Sequence, residues 1–244
     1  MSVQTPPSGR RVTELWTFVA VDPLARPLSE RLARLGPVTP NRLTALALTL
    51  GIASAVCFLV GQTRLGGALF VLRFFVDCLD GRVARLQDTC SVRGAFFDLG
   101  ADVVGVTAAY AGLGWYLVDA GHLGPAWVAA LLGALGLYNW ELSHRKKLAS
   151  DAGLGTGGAA HRWTPGRSPL RRWLAFCDRH GVSAVPWAVE SEIATLGLAP
   201  LLLPVSWLGG ALVAALAFYV VADALNARRI WRIATLLDHR EAPQ

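Results

Sequence analysis

Hydrophobic residues in this chain come in long blocks separated by short polar segments. Six blocks, at residues 43–60, 66–79, 96–118, 123–142, 182–203 and 208–225, each approach the length a bilayer-crossing helix needs, roughly 20 residues. The second block is the shortest and is interrupted by Arg73, so its helix is expected to continue to about Leu86. Ahead of the first block, residues 23–36 set Leu28, Leu32 and Leu35 on one side of a helix and Arg26, Arg31 and Arg34 roughly opposite. That pattern predicts an interfacial amphipathic helix. The fold expected is therefore all-α and polytopic: a polar tail over 1–22, the interfacial helix, a six-helix membrane domain over 37–232 with a loop at about 143–181, and a tail over 233–244.

Composition agrees, since 53% hydrophobic and 16% charged residues in 244 exclude an ordinary soluble domain. Basic residues then set orientation, because Lys and Arg are retained in cytoplasmic loops. Of 23 Lys and Arg, only Arg64 falls in an expected external loop, which predicts both termini and the turn within 86–93 to be cytoplasmic, in a multi-pass protein of the cell membrane. Residues 1–11 lack the apolar core of a cleavable signal, so the first spanning helix is expected to direct insertion. The net charge of +6 sits beside helix ends with no groove-reading module, which points to anionic headgroups as partners and away from nucleic acid. Cys57, Cys78, Cys90 and Cys177 fall in helices or cytoplasmic segments, where disulfides are disfavoured, and no spacing suits zinc. Trp115, Trp127, Trp140, Trp187 and Trp207 mark the ends of the expected spans as an aromatic belt.

Within this apolar chain four carboxylates recur at helical spacing. Asp77 and Asp80 share one helix face, Asp98 and Asp102 share another, and the polar residues 86–93 between them can reverse the chain so that the pairs face each other. Ionised together near lipid they would repel, and divalent cations remove that conflict. Hard oxygen donors suit Mg²⁺ or Mn²⁺, and two such ions roughly 4 Å apart would clamp a pyrophosphate. Gly81 and Gly94 leave room for an anionic ligand, and Arg85 offers a planar donor fork to phosphate. The alternative is a set of salt bridges, with Arg73 on Asp77 and Arg93 near Asp98. A divalent-cation transporter is the rival from another class, although its acids would be expected nearer the midplane.

The eight residues Asp77, Asp80, Gly81, Ala84, Arg85, Gly94, Asp98 and Asp102 are spaced D-x2-D-G-x2-A-R-x8-G-x3-D-x3-D. This resembles the complete signature of the CDP-alcohol phosphotransferases. The resemblance covers about residues 23–232 and implies a six-helix, usually homodimeric membrane enzyme that moves a phosphoalcohol from a CDP-alcohol donor to an acceptor hydroxyl and releases CMP. It implies that Asp77, Asp80 and Asp98 hold two Mg²⁺ or Mn²⁺ ions, that Asp102 is the general base and also reaches the metal, and that Gly81, Ala84, Arg85 and Gly94 line the nucleotide pocket. The segment Val38-Thr39-Pro40-Asn41-Arg42-Leu43-Thr44, with its Thr-Pro-Asn-x2-Thr pattern, resembles the start of the first span in relatives, where Asn41 either caps the helix or borders that pocket. Together with Cys78 and Arg26-Pro27-Leu28-Ser29, it resembles the di-inositol-phosphate-phosphate synthase branch, with phosphatidylinositol phosphate synthase the other reading.

Outside the signature, Arg73 is expected to neutralise an acidic pair or to meet a phosphate. Glu190 and Glu192 cannot share a helix face, so at most one of them reaches the acceptor. Asp223 and Asn226 are expected to be interhelical hydrogen-bonders. The glycines Gly153, Gly155, Gly157 and Gly158 lack the Lys-Ser/Thr of a phosphate loop and predict a linker. The arginines and tryptophans after it are expected on the membrane surface or, as a lid, over the acceptor.

Overall fold

A computed structural model describes residues 14–35, 37–153, 168–180, 182–183 and 187–241. It is all-helical, with α1 (Asp22–Ala33), α2 (Pro40–Leu59), α3 (Thr63–Leu86), α4 (Val92–Asp119), α5 (Pro125–Asp151), α6 (Pro169–His180), α7 (Ala188–Glu192), α8 (Ala199–Leu202) and α9 (Val205–Glu241). Two π-helical stretches, Thr17–Val21 and Ile193–Leu198, lead into α1 and join α7 to α8.

Helix ends follow local chemistry. Pro40 opens α2 after an extended Thr39, where the absent N–H costs nothing. Ser91 caps α4 by accepting from the Gly94 N–H at 3.0 Å. At the far end of α2, Gly61 turns to φ +78° and the Gln62 N–H donates to the Cys57 carbonyl at 2.8 Å. Gly121 ends α4 the same way, at φ +71°. Asp88, at φ +53°, performs this closure without glycine after α3, where the Thr89 N–H reaches the Ala84 carbonyl at 3.0 Å.

Among the described residues, three helices are long and apolar enough to cross a membrane: Pro40–Leu59, Val92–Asp119 and Val205–Asp238. The chain is a membrane protein, but six blocks do not give six such helices. Helix α3 carries Arg64, Arg73, Asp77, Asp80 and Arg82, and Asn139 and Glu141 dilute α5. The fifth block is not one helix from 182, since helix begins at Ala188 and is interrupted by the π stretch. Helix α5 continues past 142 to Asp151, so His144 to Lys147 are helical and not part of a loop. Residues 233–241 continue α9, and residues 15–22 are already helical. Of the glycine run, Gly153 is seen ending α5 at φ +67°, whereas Gly155, Gly157 and Gly158 lie outside the described residues.

The helix expected over 23–36 is α1, which packs on α3 with Leu28 and Leu32 half-buried and Arg26, Arg31 and Arg34 exposed. Leu35 lies beyond the helix and is exposed. Helices α2, α3 and α4 form one tightly packed group and α5 pairs with α9, while the π stretch and α8 lie against α3. One buried cluster joins α4, α5 and α9 around Tyr110, Leu113, Leu135, Leu212 and Tyr219. A second joins α1, α2 and α3 around Ala25, Ala47, Leu79 and Val83.

Helices meet closely where side chains are small, the usual solution where lipid leaves no hydrophobic drive between them. A Cβ on Gly67 of α3 would lie 2.8 Å from the Gly197 carbonyl oxygen in the π stretch, and one on Gly197 would lie 2.8 Å from Val71. Gly67→Val is therefore expected to destabilise the protein by roughly 1–3 kcal/mol through overpacking against backbone. A lowered thermal midpoint in detergent, absent for a control at the open Gly210, checks it.

Candidate active site

The turn at 87–91 does bring the two acidic helices together. Oxygens of Asp77 on α3 and of Asp98 and Asp102 on α4 all lie within 4.8 Å of one another. All three residues are half-buried, and the Oδ1 of Asp77 is buried without a hydrogen-bond partner. A carboxylate oxygen taken out of water and left unpaired costs several kcal/mol. Three converging carboxylates, one of them with an orphan oxygen, fit a divalent cation.

Asp80 stands apart from this group of three. It is 3% exposed, and its Oδ2 accepts from the Thr44 hydroxyl of α2 at 2.6 Å. Thr44 also donates back to the Pro40 carbonyl at 3.2 Å, so the shorter bond orients it toward Asp80. Sequence reading noted Thr44 only as part of the segment at the start of the first span. Its signal was a hydroxyl three residues after Asn41, on the face that turns toward α3.

Arg73 pairs with Asp102, not with Asp77 one turn along its own helix. Its Nη2 is 2.5 Å from the Asp102 Oδ1, with side-chain exposures of 3% and 43% for the two residues. The guanidinium lies 5.5 Å from the Phe70 ring centroid. Two glycines make the slot: a Cβ on Gly51 of α2 would be 3.1 Å from the Arg73 Cδ, and one on Gly105 of α4 would be 2.9 Å from its Nε. Neither glycine stood out in the sequence, because the feature they accommodate is a side chain from a third helix.

The other signature residues surround the acids. Gly81 faces Arg85, whose Nη1 would be 3.4 Å from a Cβ there, and Arg85 is exposed. Ala84 is half-buried on the same helix. A Cβ on Gly94 would be 3.1 Å from the Ser91 Oγ and 3.6 Å from the Asn41 Oδ1. Asn41 thus lies inside the first turn of α2, with Thr39 at the capping position, and faces Gly94 rather than capping.

Other polar residues lie between the helices. Arg82 is bridged to Asp22 of α1. Gln87 donates to the carbonyls of Ala33 at 3.2 Å and Val38 at 3.0 Å, tying the α1–α2 link to the end of α3. Asn226 accepts from Arg145 at 2.5 Å, as an interhelical bond. Asp223 is 7% exposed, and its Oδ1 has no partner.

The model of the CDP-alcohol phosphatidyltransferase family matches residues 37–152. The chain is 34% identical over 152 residues to the phosphatidylinositol phosphate synthase of Mycolicibacterium smegmatis, covering 61% of this chain and 66% of that protein. It is 33% identical over 123 residues to the bifunctional IPC transferase and DIPP synthase of Rubrobacter xylanophilus, covering 49% of this chain but only 28% of that relative. Its fold resembles the crystal structure of Mycobacterium tuberculosis phosphatidylinositol phosphate synthase with CDP-DAG bound, at a TM-score of 0.54 and 18% identity over 86% of this chain and 94% of that one.

Thr44→Val removes the donor to a buried carboxylate while keeping volume. It is expected to lower stability by about 2 kcal/mol, the usual cost of a lost hydrogen bond to a charged group. Denaturant or thermal unfolding of Thr44→Val, Asp80→Asn and the double variant checks this. Coupling between the two sites is the expected result, and simple additivity would separate them.

Proposed function

This chain belongs to the CDP-alcohol phosphatidyltransferase family, and we propose that it transfers a phosphatidyl or phospho-polyol group from a CDP-alcohol to an acceptor hydroxyl, releasing CMP. The observation that carries this reading is the convergence of Asp77, Asp98 and Asp102 from two helices beside a buried, unpartnered Asp77 oxygen, within a complete eight-residue signature. An inositol-phosphate-type acceptor is the favoured class, supported by the similarity to phosphatidylinositol phosphate synthase and to IPC transferase and DIPP synthase.

In this reading Asp77, Asp98 and Asp102, with Asp80 behind them, hold two divalent ions, Mg²⁺ or Mn²⁺. When bound, the ions supply charge neutralisation to the pyrophosphate and to the departing CMP oxygen. Gly81 and Gly94 let the diphosphate come close to α3 and α4, and Ala84 and Asn41 border the cytidine. Arg85 holds a phosphate oxygen. The acceptor oxygen attacks the phosphorus that carries the donor alcohol, the bond from that phosphorus to the CMP oxygen breaks, and the hydroxyl proton passes to Asp102. Arg73 fixes the Asp102 carboxylate by its contact to Oδ1, leaving Oδ2 for the proton or the ion. The enzyme works as a homodimer in the cell membrane, with the acids and both termini on the cytoplasmic side.

CMP release from CDP-diacylglycerol and a panel of phosphorylated and free polyols tests the reading. Asp98→Asn is expected to lose on the order of 100-fold or more in rate. Asp102→Asn is expected to abolish turnover while donor affinity stays within a few-fold; equal loss of both would make Asp102 a ligand only. Chelation is expected to stop the reaction reversibly. Metal flux into proteoliposomes with no CMP release would overturn the reading in favour of transport.

A further inference from the structure

Two glutamates lie in α7, and the structure gives them different work. Glu190 is spent on backbone: its Oε2 accepts from the Trp187 N–H at 2.8 Å and its Oε1 from the Leu15 N–H at 3.0 Å. Glu192, two residues on, faces away from those amides, as roughly 200° of helical rotation requires. Its Oε1 accepts from the Tyr219 hydroxyl at 3.1 Å. Tyr219 is fully buried on α9, in edge contact with Tyr138 at 5.5 Å and Tyr110 at 6.4 Å. Tyr110 in turn shares a 2.8 Å hydrogen bond with Thr195. Glu192 itself remains half-buried among these closed rings, so part of its carboxylate is still open.

The chain neighbour of Glu192, Ile193, shares a buried cluster with Phe74, Val76 and Leu79 of α3, the helix that carries Arg73 and Asp77. Among the charges close enough to act on Glu192 are Arg73, whose guanidinium grips Asp102, and Asp102 itself. The placement is rigid, because the π stretch that follows Glu192 is set against α3 through Gly67 and Gly197 with no room for a side chain on either. A π stretch interrupting a helix is often found at functional positions, where it redirects neighbouring side chains. The Tyr219 hydroxyl takes one acceptor position of a group that offers about four. A carboxylate is a costly way to satisfy one phenol inside a membrane bundle, and its spare lone pairs accept only from donors.

Resting on the transferase reading, we infer that Glu192 binds the acceptor alcohol by accepting hydrogen bonds from hydroxyls next to the one that reacts. The acceptor it selects is polyhydroxylated: one hydroxyl is presented to Asp102 and at least one neighbour is held by Glu192. Tyr219 fixes the carboxylate from behind, and Glu190 has no part in substrate binding.

The test is steady-state CMP release by the full-length protein with CDP-diacylglycerol and the best polyol acceptor from the panel above. Glu192→Gln is expected to raise the acceptor KM by about tenfold, the worth of one charged hydrogen bond, while the donor KM changes less than about twofold. Glu190→Gln is expected to leave the acceptor KM unchanged. With the unaltered protein, an acceptor analogue lacking the hydroxyl adjacent to the reacting one is expected to show the same tenfold rise, and Glu192→Gln to use the analogue and the full polyol equally. An unchanged acceptor KM in Glu192→Gln, or parallel rises for donor and acceptor, would overturn the assignment. If that variant does not fold, the analogue series on the unaltered protein decides, and no discrimination there overturns it. Absence of CMP release from every donor and acceptor pair with the unaltered protein is a different result, because it removes the transferase reading itself.

Discussion

A guanidinium enclosed by three helices must be neutralised where it lies, and in this protein that requirement ties the centre of the bundle together. Arg73 is 2% exposed, and its charge is met by Asp102 on the next helix. Breaking one partner of such a pair leaves an uncompensated charge in a medium that cannot solvate it, which costs far more than the pair contributes when intact. The pairing also fixes spacing. Helices α2 and α4 come close enough to hold Arg73 only because Gly51 and Gly105 present no side chain to it. The same contact sets the Asp102 carboxylate within reach of Asp77 and Asp98, so the packing of α2, α3 and α4 and the geometry of the acidic cluster depend on one ion pair.

Around this centre the structure divides its polar groups into those that are satisfied and those that are not. Asp80 has Thr44, Arg82 has Asp22, Gln87 has two carbonyls and Glu190 has two amides. The first three fasten α1 and α2 to the C-terminal half of α3, and the last ties α7 to the helical stretch that leads into α1. The Asp77 oxygen, by contrast, is buried without a partner. Buried polar atoms in folded proteins are almost always hydrogen-bonded, so an exception beside two further carboxylates is informative. It distinguishes a group kept ready for a ligand from one that merely braces the helices.

Much of this was legible in the sequence. The apolar blocks located α2, α4 and α9, and the spacing of four aspartates placed a reversing turn between 86 and 93, where α3 ends and α4 begins. Helical periodicity carries such information because it depends only on neighbours within one element. The misplaced features all involve contacts between elements. Arg73 was expected to neutralise an acidic pair or meet a phosphate, and it does meet a carboxylate, but that the partner is Asp102 on α4 lies beyond what spacing within α3 can give. The reading of Asn41 as the cap of α2 fails because Pro40, with its fixed φ, already begins the helix one residue earlier. The fifth block was read as a single helix because hydropathy does not register a π stretch, which keeps the apolar run but changes the rotation per residue. Of Glu190 and Glu192, spacing showed that they diverge but not which one turns to backbone.

The links at residues 60–62, 120–124 and 203–204 gather at one end of the bundle, where Gly61 meets Tyr116 and Gly209 meets the His122 carbonyl. Their closures leave scarcely any extended backbone outside the helices. A protease needs several residues of pliable chain to seat a scissile bond, and among the described residues this end offers almost none. Limited digestion of the intact protein, applied from that side alone, would therefore find a nearly seamless cap.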